Sequence, residues 1–332
     1  MKKIRGLCII LGFIIGLAIV AVLPARAEDI NVDKVTLRMS WFPYADYAMY
    51  MIGIKKGFYR QEGIEVDVQP TKGSSLTTQL IGNREAEFAS ASADAALIAR
   101  TKGMPLTVLA TLHQTSPTSV FSLDSVGIKK PKDLEGKSLA SDPQSLKHKQ
   151  FIAFCKKNNV DINKIKVLPI TGSNFIHILE GKADSMLAFS YIGDSLLRKK
   201  GHAVNEIKLN AYGVDIYSIS LITNENLIKE NPDLVRRFVR ATIKSWNYAV
   251  KHPEETVDAF VSAYPEFTKE EQWYQVLGVI ALAQSDYTKA HGLGYQSKKK
   301  WEQTQNLLHD QGMLGHMIPV EDVYTNEFLT KK

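Results

Sequence analysis

Cysteine is almost missing from this chain: 332 residues contain two, Cys8 and Cys155. Cys8 stands at the start of an N-terminal apolar run. Cys155 follows Phe151 and Phe154 at helical spacing, which reads as a small buried hydrophobe and not as a reactive thiol. If the N-terminal run is removed, Cys155 is left alone and no intramolecular disulfide can form. The 8 histidines are scattered singly, so nothing has metal-ligand spacing. Heptad runs, low-complexity tracts and obvious internal repeats are also lacking, and no Ser-His-Asp, Cys-His or paired-carboxylate set is readable.

A strong charge of one sign is lacking too, once the N-terminus is set aside. The formal net charge is +6, but residues 1–27 carry Lys2, Lys3, Arg5 and Arg26 and no acid, so the remainder stands at +2. Such a balanced chain gives no reason to invoke nucleic acid or an anionic membrane face. Residues 1–27 themselves have a basic start, an apolar middle from Leu7 to Leu23, and Ala25-Arg26-Ala27 at the end. That is the pattern of a cleaved secretory signal, and the run is short for a membrane span. Cys8 is at the wrong end of it for a lipid anchor. Cleavage after Ala27 and a protein free in a periplasm are the expectation, leaving roughly 305 residues, ample for two α/β lobes.

What is present is an alternation of strand and helix. Val35, Leu37 and Met39 alternate with polar residues, a Trp41-Phe42-Pro43 corner follows, and Tyr47, Met51, Ile54 and Phe58 recur at helical spacing before Ile64, Val66 and Val68 alternate again. Ligands of open α/β sheets sit at the carboxyl ends of strands, so Trp41 is placed to touch one, with a packing role as the alternative. Ser74 and Ser75 can cap a helix ending at Gly82, and Ala86 to Ala89 leads into a short strand. Ser90 to Asp94 then reads as a polar cradle or an ordinary cap before an Ala-rich helix. Leu106 to Leu112 is a buried strand. Pro131 to Lys137 is a capped turn opening a second alternation through Ser138 to Ser141, Ile165 to Pro169 and Ser185 to Phe189. Tyr217, Ile219, Leu221 and Thr223 form a returning strand, and Asn231-Pro232 opens the helices that complete the chain.

Four stretches in order, WFPYADYAMYMIGIKKGFYRQEGIEVDVQP, GNREAEFASASADAALIARTKGMPLTVLA, VGIKKPKDLEGKSLA and GSNFIHILEGKADSMLAF, resemble the substrate-binding receptors of ABC importers. The branch resembled includes thiamine-pyrimidine-precursor, alkylsulfonate, taurine and nitrate receptors, and the similarity runs from Val35 to Lys251. The resemblance implies an α/β, two-lobe periplasmic binding protein fold (type II), with lobes joined by two crossing strands. These would fall near Thr115 to Leu123 and Tyr212 to Thr223. Residues 28–118 and 219–332 would make lobe 1, and 119–218 lobe 2. It implies a monomer without cofactor or metal, delivering a small molecule to a permease and ATPase at the inner membrane. A sensory receptor with the same pocket is an alternative. So is an enzyme like the fungal pyrimidine synthases, although their Cys-rich iron-binding stretch is absent.

Carried onto this sequence, the resemblance places Trp41, Tyr44, Tyr47, Ser92, Asp94 and Gln114 at the cleft from one lobe, and Asn174, Tyr191, Asp194, Asp215 and Tyr217 from the other lobe and the return crossing. Tyr47 departs from the His often found there in pyrimidine-precursor receptors. The set is rich in aromatics and carboxylates and reads as short of cations, and Asp142 and Pro143 disfavour an anion at the second lobe's first turn. A planar heteroaromatic ligand with ring amines is therefore the expectation, with an alkylsulfonate, taurine or nitrate as the alternative.

Overall fold

The computed structural model describes residues 32–171, 175–198 and 200–330; the leader expected at residues 1–27 lies outside them. The strands are β1 Asp33–Met39, β2 Ile64–Pro70, β3 Phe88–Ser92, β4 Leu106–Thr111, β5 Thr118–Leu123, β6 Ser138–Ser141, β7 Lys166–Pro169, β8 Ser185–Phe189, β9 Val204–Lys208 and β10 Ile219–Asn224. They form two five-stranded sheets, β2-β1-β3-β10-β4 and β7-β6-β8-β5-β9. Within each sheet the three strands that enter helices run parallel, β1 with β2 and β3, and β6 with β7 and β8. β10 and β5 run antiparallel to those neighbours, which is the mark of a chain passing from one sheet to the other and back.

The passages are short links and not strands spanning both sheets. Residues 112–117 lead from β4 to β5 and residues 209–218 lead back. They bond to each other: His113 N–H donates to Ile219 O at 3.0 Å and Ser218 N–H to His113 O at 3.1 Å. The pairing stops there, since the next amide, Gln114 N–H, donates to Leu282 O at 2.8 Å. β9 has no counterpart in the sequence reading, because Val204 to Lys208 is a short edge strand with two apolar residues.

Among the helices, α1 Ala45–Lys55, α2 Ser74–Gly82 and α3 Ala93–Thr101 follow the first three strands, and α4 Leu146–Lys157 follows β6. After β8 comes one turn of helix, α5 Ser190–Gly193. The C-terminal part adds α6 Pro232–Lys251, α7 Pro253–Ala263, α8 Lys269–Ala283 and α9 Lys298–Asp310. α6 shows why such helices form. Pro232 sits at its first turn, the Asn231 side chain accepts from Leu234 N–H at 3.1 Å, and Leu234, Val235, Phe238, Val239 and Trp246 bury one stripe. Phe238 stacks on Phe88 of β3 at 3.7 Å between ring centroids, tying helix to sheet; each such buried ring contributes about 1.5–3 kcal/mol.

α1 and α6 cross closely because Gly53 lets them. A Cβ there would stand 2.4 Å from Ser245 Oγ and 2.6 Å from its Cβ, and that hydroxyl already donates to Met49 O at 2.6 Å. Gly53→Ala is expected to destabilise by about 1–3 kcal/mol through overpacking, although alanine is the better helix former. Urea unfolding monitored by circular dichroism checks it, and a variant as stable as the parent would mean that the helices are free to separate.

Candidate functional site

Within each sheet the parallel strands end at one edge, and the loops at the carboxyl ends of the two sheets face each other across a cleft of about 540 Å³. The first sheet contributes Ser40 to Tyr44 after β1, Lys72 to Ser75 after β2, and Ser92 and Asp94 after β3. The second contributes Ser141, Asp142 and Gln144 to Lys147 after β6, Gln150 on α4, and Phe189 and Ile192 at the end of β8. Volume and mixed lining both suit a small organic ligand.

The β1 corner is pinned from below. Ser40 N–H donates to Ser90 O at 3.0 Å, Gly73 N–H to Ser40 O at 2.8 Å, and the Tyr47 hydroxyl to Trp41 O at 2.5 Å. With its backbone fixed, the corner holds Trp41 and Phe42 edge to face at 5.7 Å, and both remain 40% and 54% exposed on the cleft wall. Large rings left open to water in a built cavity are what an apolar ligand face would cover. Beside them the Tyr44 phenol is pushed well above its usual range, by burial first and then by the Asp46 carboxylate, so it stays protonated.

The floor is polar. Asp94 is buried, its Oδ1 accepting from Ala95 N–H at 2.8 Å and its Oδ2 from Gln150 Nε2 at 2.9 Å. Burial raises its carboxyl above the usual aspartate value, against the opposing pull of Ser92, Gln150 and the Ala95 amide. Ser74, expected to cap α2, does something else: its hydroxyl accepts from Ser92 N–H at 3.1 Å, fixing the cradle after β3, and α2 begins at Gly73 without a side-chain cap.

Contrary to the expectation of a cation-poor site, the cleft holds two lysines. Lys72 lies just before α2 and Lys147 in the first turn of α4. The Lys147 ammonium lies 5.1 Å from the Phe189 ring centroid, and burial lowers it from 10.5 to about 8. The signal that could have found both was positional, since each follows the carboxyl end of a parallel strand, as Trp41 does.

Of the other residues expected at the cleft, the structure brings few there. Tyr47 is fully buried beneath the corner. Tyr191 is buried at the junction of the sheets, its hydroxyl 3.3 Å from Asp46 Oδ2, because α5 turns its ring inward against α8. Gln114 is a hinge residue whose Nε2 donates to Thr111 O at 2.9 Å. Asp194 pairs with Arg198 at 2.7 Å one turn along, half-exposed. Asp215 pairs with Lys300 at 2.6 Å and with Thr115 in a separate shallow groove behind the hinge. Tyr217 points away from the cleft toward α9, accepting from Ser297 N–H at 2.8 Å and packing 5.4 Å from Trp301. Asn174 lies outside the described residues. Trp41, Tyr44, Ser92 and Asp94 are the expected residues that do line the cleft.

Cys155 is buried and its thiol is pushed up to about 12 by that burial, so it is inert. Among the described residues no group of three His, Cys, Asp or Glu converges as a metal site would require, and no helix is long and apolar enough to cross a membrane.

Two lobes with facing strand ends around an aromatic, hydrogen-bonding cleft define the periplasmic-binding-protein fold. Comparison with known proteins places it further: the chain belongs to the NMT1/THI5-like family, whose model matches residues 45–256. It is 26% identical over 318 residues to the riboflavin-binding protein RibY of Chloroflexus aurantiacus, covering 92% of this chain and 89% of that one. It is 21% identical over 305 residues to the formylaminopyrimidine-binding protein of Halalkalibacterium halodurans, covering 90% and 92%. It is 22% identical over 324 residues to the Saccharomyces cerevisiae 4-amino-5-hydroxymethyl-2-methylpyrimidine phosphate synthase THI13, covering 90% and 89%. The fold matches the alkanesulfonate-binding protein SsuA of Xanthomonas axonopodis pv. citri with a TM-score of 0.67 at 11% identity, covering 88% and 98%.

The depressed Lys147 has a chemical consequence. Between about 8 and 10.5 it is a neutral amine while exposed lysines are still charged. Acylation with an amine-reactive ester, followed by peptide mass spectrometry, is expected to label Lys147 with a half-maximal rate near pH 8, ahead of surface lysines. Labelling that rises only near pH 10 would show an ordinary, hydrated lysine.

Proposed function

We propose that this protein is an exported solute receptor whose cleft closes on a flat, polar heteroaromatic molecule and delivers it to an ABC permease and its ATPase at the inner membrane. One observation carries this reading: the cleft presents aromatic rings from both sheets, Trp41 and Phe42 on one side and Phe189 on the other, with hydrogen-bonding groups on the floor between them. A ring slotted between such walls gains about 0.5–1.5 kcal/mol per stacked partner beyond the area it buries. The relatives named for riboflavin and formylaminopyrimidine support a ligand of this class. The receptor acts as a monomer in the periplasm and returns its ligand unchanged.

A second reading has its own observation. Lys72 and Lys147, each beside a helix start, would suit an acidic substituent, and a small alkylsulfonate would use them without the rings. A synthase like the yeast relatives is the third, and it would change the mass of what it binds.

Calorimetric titration with riboflavin, 4-amino-5-hydroxymethyl-2-methylpyrimidine and taurine separates the first two, and mass spectrometry of released ligand tests the third. One of the two heteroaromatic compounds is expected to bind and taurine is not. Trp41→Ala should then weaken binding by about 2–4 kcal/mol, the cost of removing an interface anchor, and Trp41→Phe by less because a face remains. Binding of taurine alone would overturn the heteroaromatic reading and leave the receptor fold intact.

A further inference from the structure

The orientation of the Gln150 amide is decided by its surroundings. Its Oε1 lies 2.8 Å from both the Ser116 and the Thr118 hydroxyls, which donate to it and occupy its two lone pairs. Its Nε2 then faces Asp94 Oδ2 at 2.9 Å, and an ionised Asp94 accepts only, so the amide cannot be turned over without setting oxygen against oxygen. Both side chains are buried, at 6% and 1% exposure, and both line the cleft. Gln150 Nε2 has a second hydrogen. Asp94 has four lone-pair directions, of which Ala95 N–H and Gln150 take two, while the neighbouring Ser92 hydroxyl is buried without a hydrogen-bond partner among the described residues. The floor thus presents one fixed donor and one fixed acceptor side by side.

We propose that Asp94 and Gln150 act together as a reader of the ligand's edge, selecting rings that carry a hydrogen-bond donor and an acceptor on adjacent atoms. The N–H and C=O of a cyclic amide fit, as do the amino group and neighbouring ring nitrogen of an aminopyrimidine. This rests on the heteroaromatic reading above and narrows it. The aromatic walls hold any flat ring; the floor distinguishes among them. Paired contacts of this kind read nucleobase edges in the same way, with Asn or Gln meeting one donor and one acceptor. The discrimination arises because a ligand lacking either group leaves Asp94 or Gln150 buried and unpaired.

The test uses the unmodified protein with matched ligands: riboflavin against its N3-methyl derivative, and 4-amino-5-hydroxymethyl-2-methylpyrimidine against its 4-dimethylamino counterpart. Methylation removes the donor from the edge and leaves the ring. Whichever parent binds, its methylated partner is expected to bind at least about a hundredfold more weakly. Asp94→Asn and Gln150→Glu should each weaken the parent about tenfold or more, and combining them should not restore it, because the exchanged pair sets a donor where the parent needs an acceptor and an acceptor where it needs a donor. Burial raises the Asp94 carboxyl, so the parent's affinity should also fall on acidification at a higher pH than an exposed aspartate would dictate. A methylated ligand that binds within about threefold of its parent would overturn the edge reader while leaving the receptor intact. Failure of both parents to bind would overturn the heteroaromatic reading itself, and the edge reader with it.

Discussion

At the join of the two sheets lies a carboxylate with no access to water. Asp46 and His113 are both at 0% exposure, with Oδ1 and Nε2 2.7 Å apart. Taking a carboxylate out of water costs several kcal/mol, so the site holds only if donors replace the lost hydration. They come from three directions. His113 belongs to the link between the sheets, Tyr191 donates from α5 after the second sheet, and Tyr44 from the cleft wall. His113 Nδ1 has no partner among the described residues, which assigns the imidazole proton to Nε2, where it meets Asp46. One buried carboxylate therefore ties together the link between the sheets, the docking of the second sheet and a tyrosine of the cleft wall. Gly278 completes the arrangement: any Cβ there would lie 2.3 Å from that of Tyr191, so α8 lets the tyrosine reach inward.

This constraint explains which parts of the molecule were legible in the sequence. The strands other than β9 were readable because alternation or a continuous apolar run leaves a local mark, as in Val35, Leu37 and Met39 or in Leu106 to Thr111. The corner at Trp41 was readable because a strand ends and a helix begins within a few residues. The role of Tyr191 was not. An aromatic residue following a strand looks the same whether it faces the cleft or turns toward a buried carboxylate 145 positions earlier, and that choice is made by Asp46 and Gly278. Asp194 and Asp215 misled for a related reason. A carboxylate near a strand end suggests a ligand contact, but Arg198 and Lys300 claim these two, and the second partner is distant in sequence.

The lysines illustrate the opposite error. Lys72 and Lys147 sit in polar turns where a charged residue is unremarkable, and only the convergence of two strand ends puts them in one cavity. Gln150 is harder still. On α4 it reads as a polar residue of an amphipathic helix, and its meaning depends on the hydroxyls of Ser116 in the link and Thr118 at the start of β5 and on a carboxylate from the other sheet.

The cross-sheet bonds fall into two groups with different consequences for closure. Behind the cleft, Tyr191 meets Asp46 and the Ser195 hydroxyl donates to Glu271 O at 2.8 Å; neither needs a ligand to form. On the floor, Gln150 meets Asp94, and its carbonyl is held by Ser116 in the link and Thr118 at the start of β5. Turning the link therefore moves the floor donor with it, so any rotation that parts the sheets also separates Gln150 from Asp94. A ligand bonded to both stabilises the closed arrangement by the contacts it would lose on opening, and by no more than that difference. A ligand bonded to either one alone would gain nothing from closure on the floor. If the proposed edge reader holds, selection by the ligand's edge and closure of the lobes would be two consequences of the same pair of side chains.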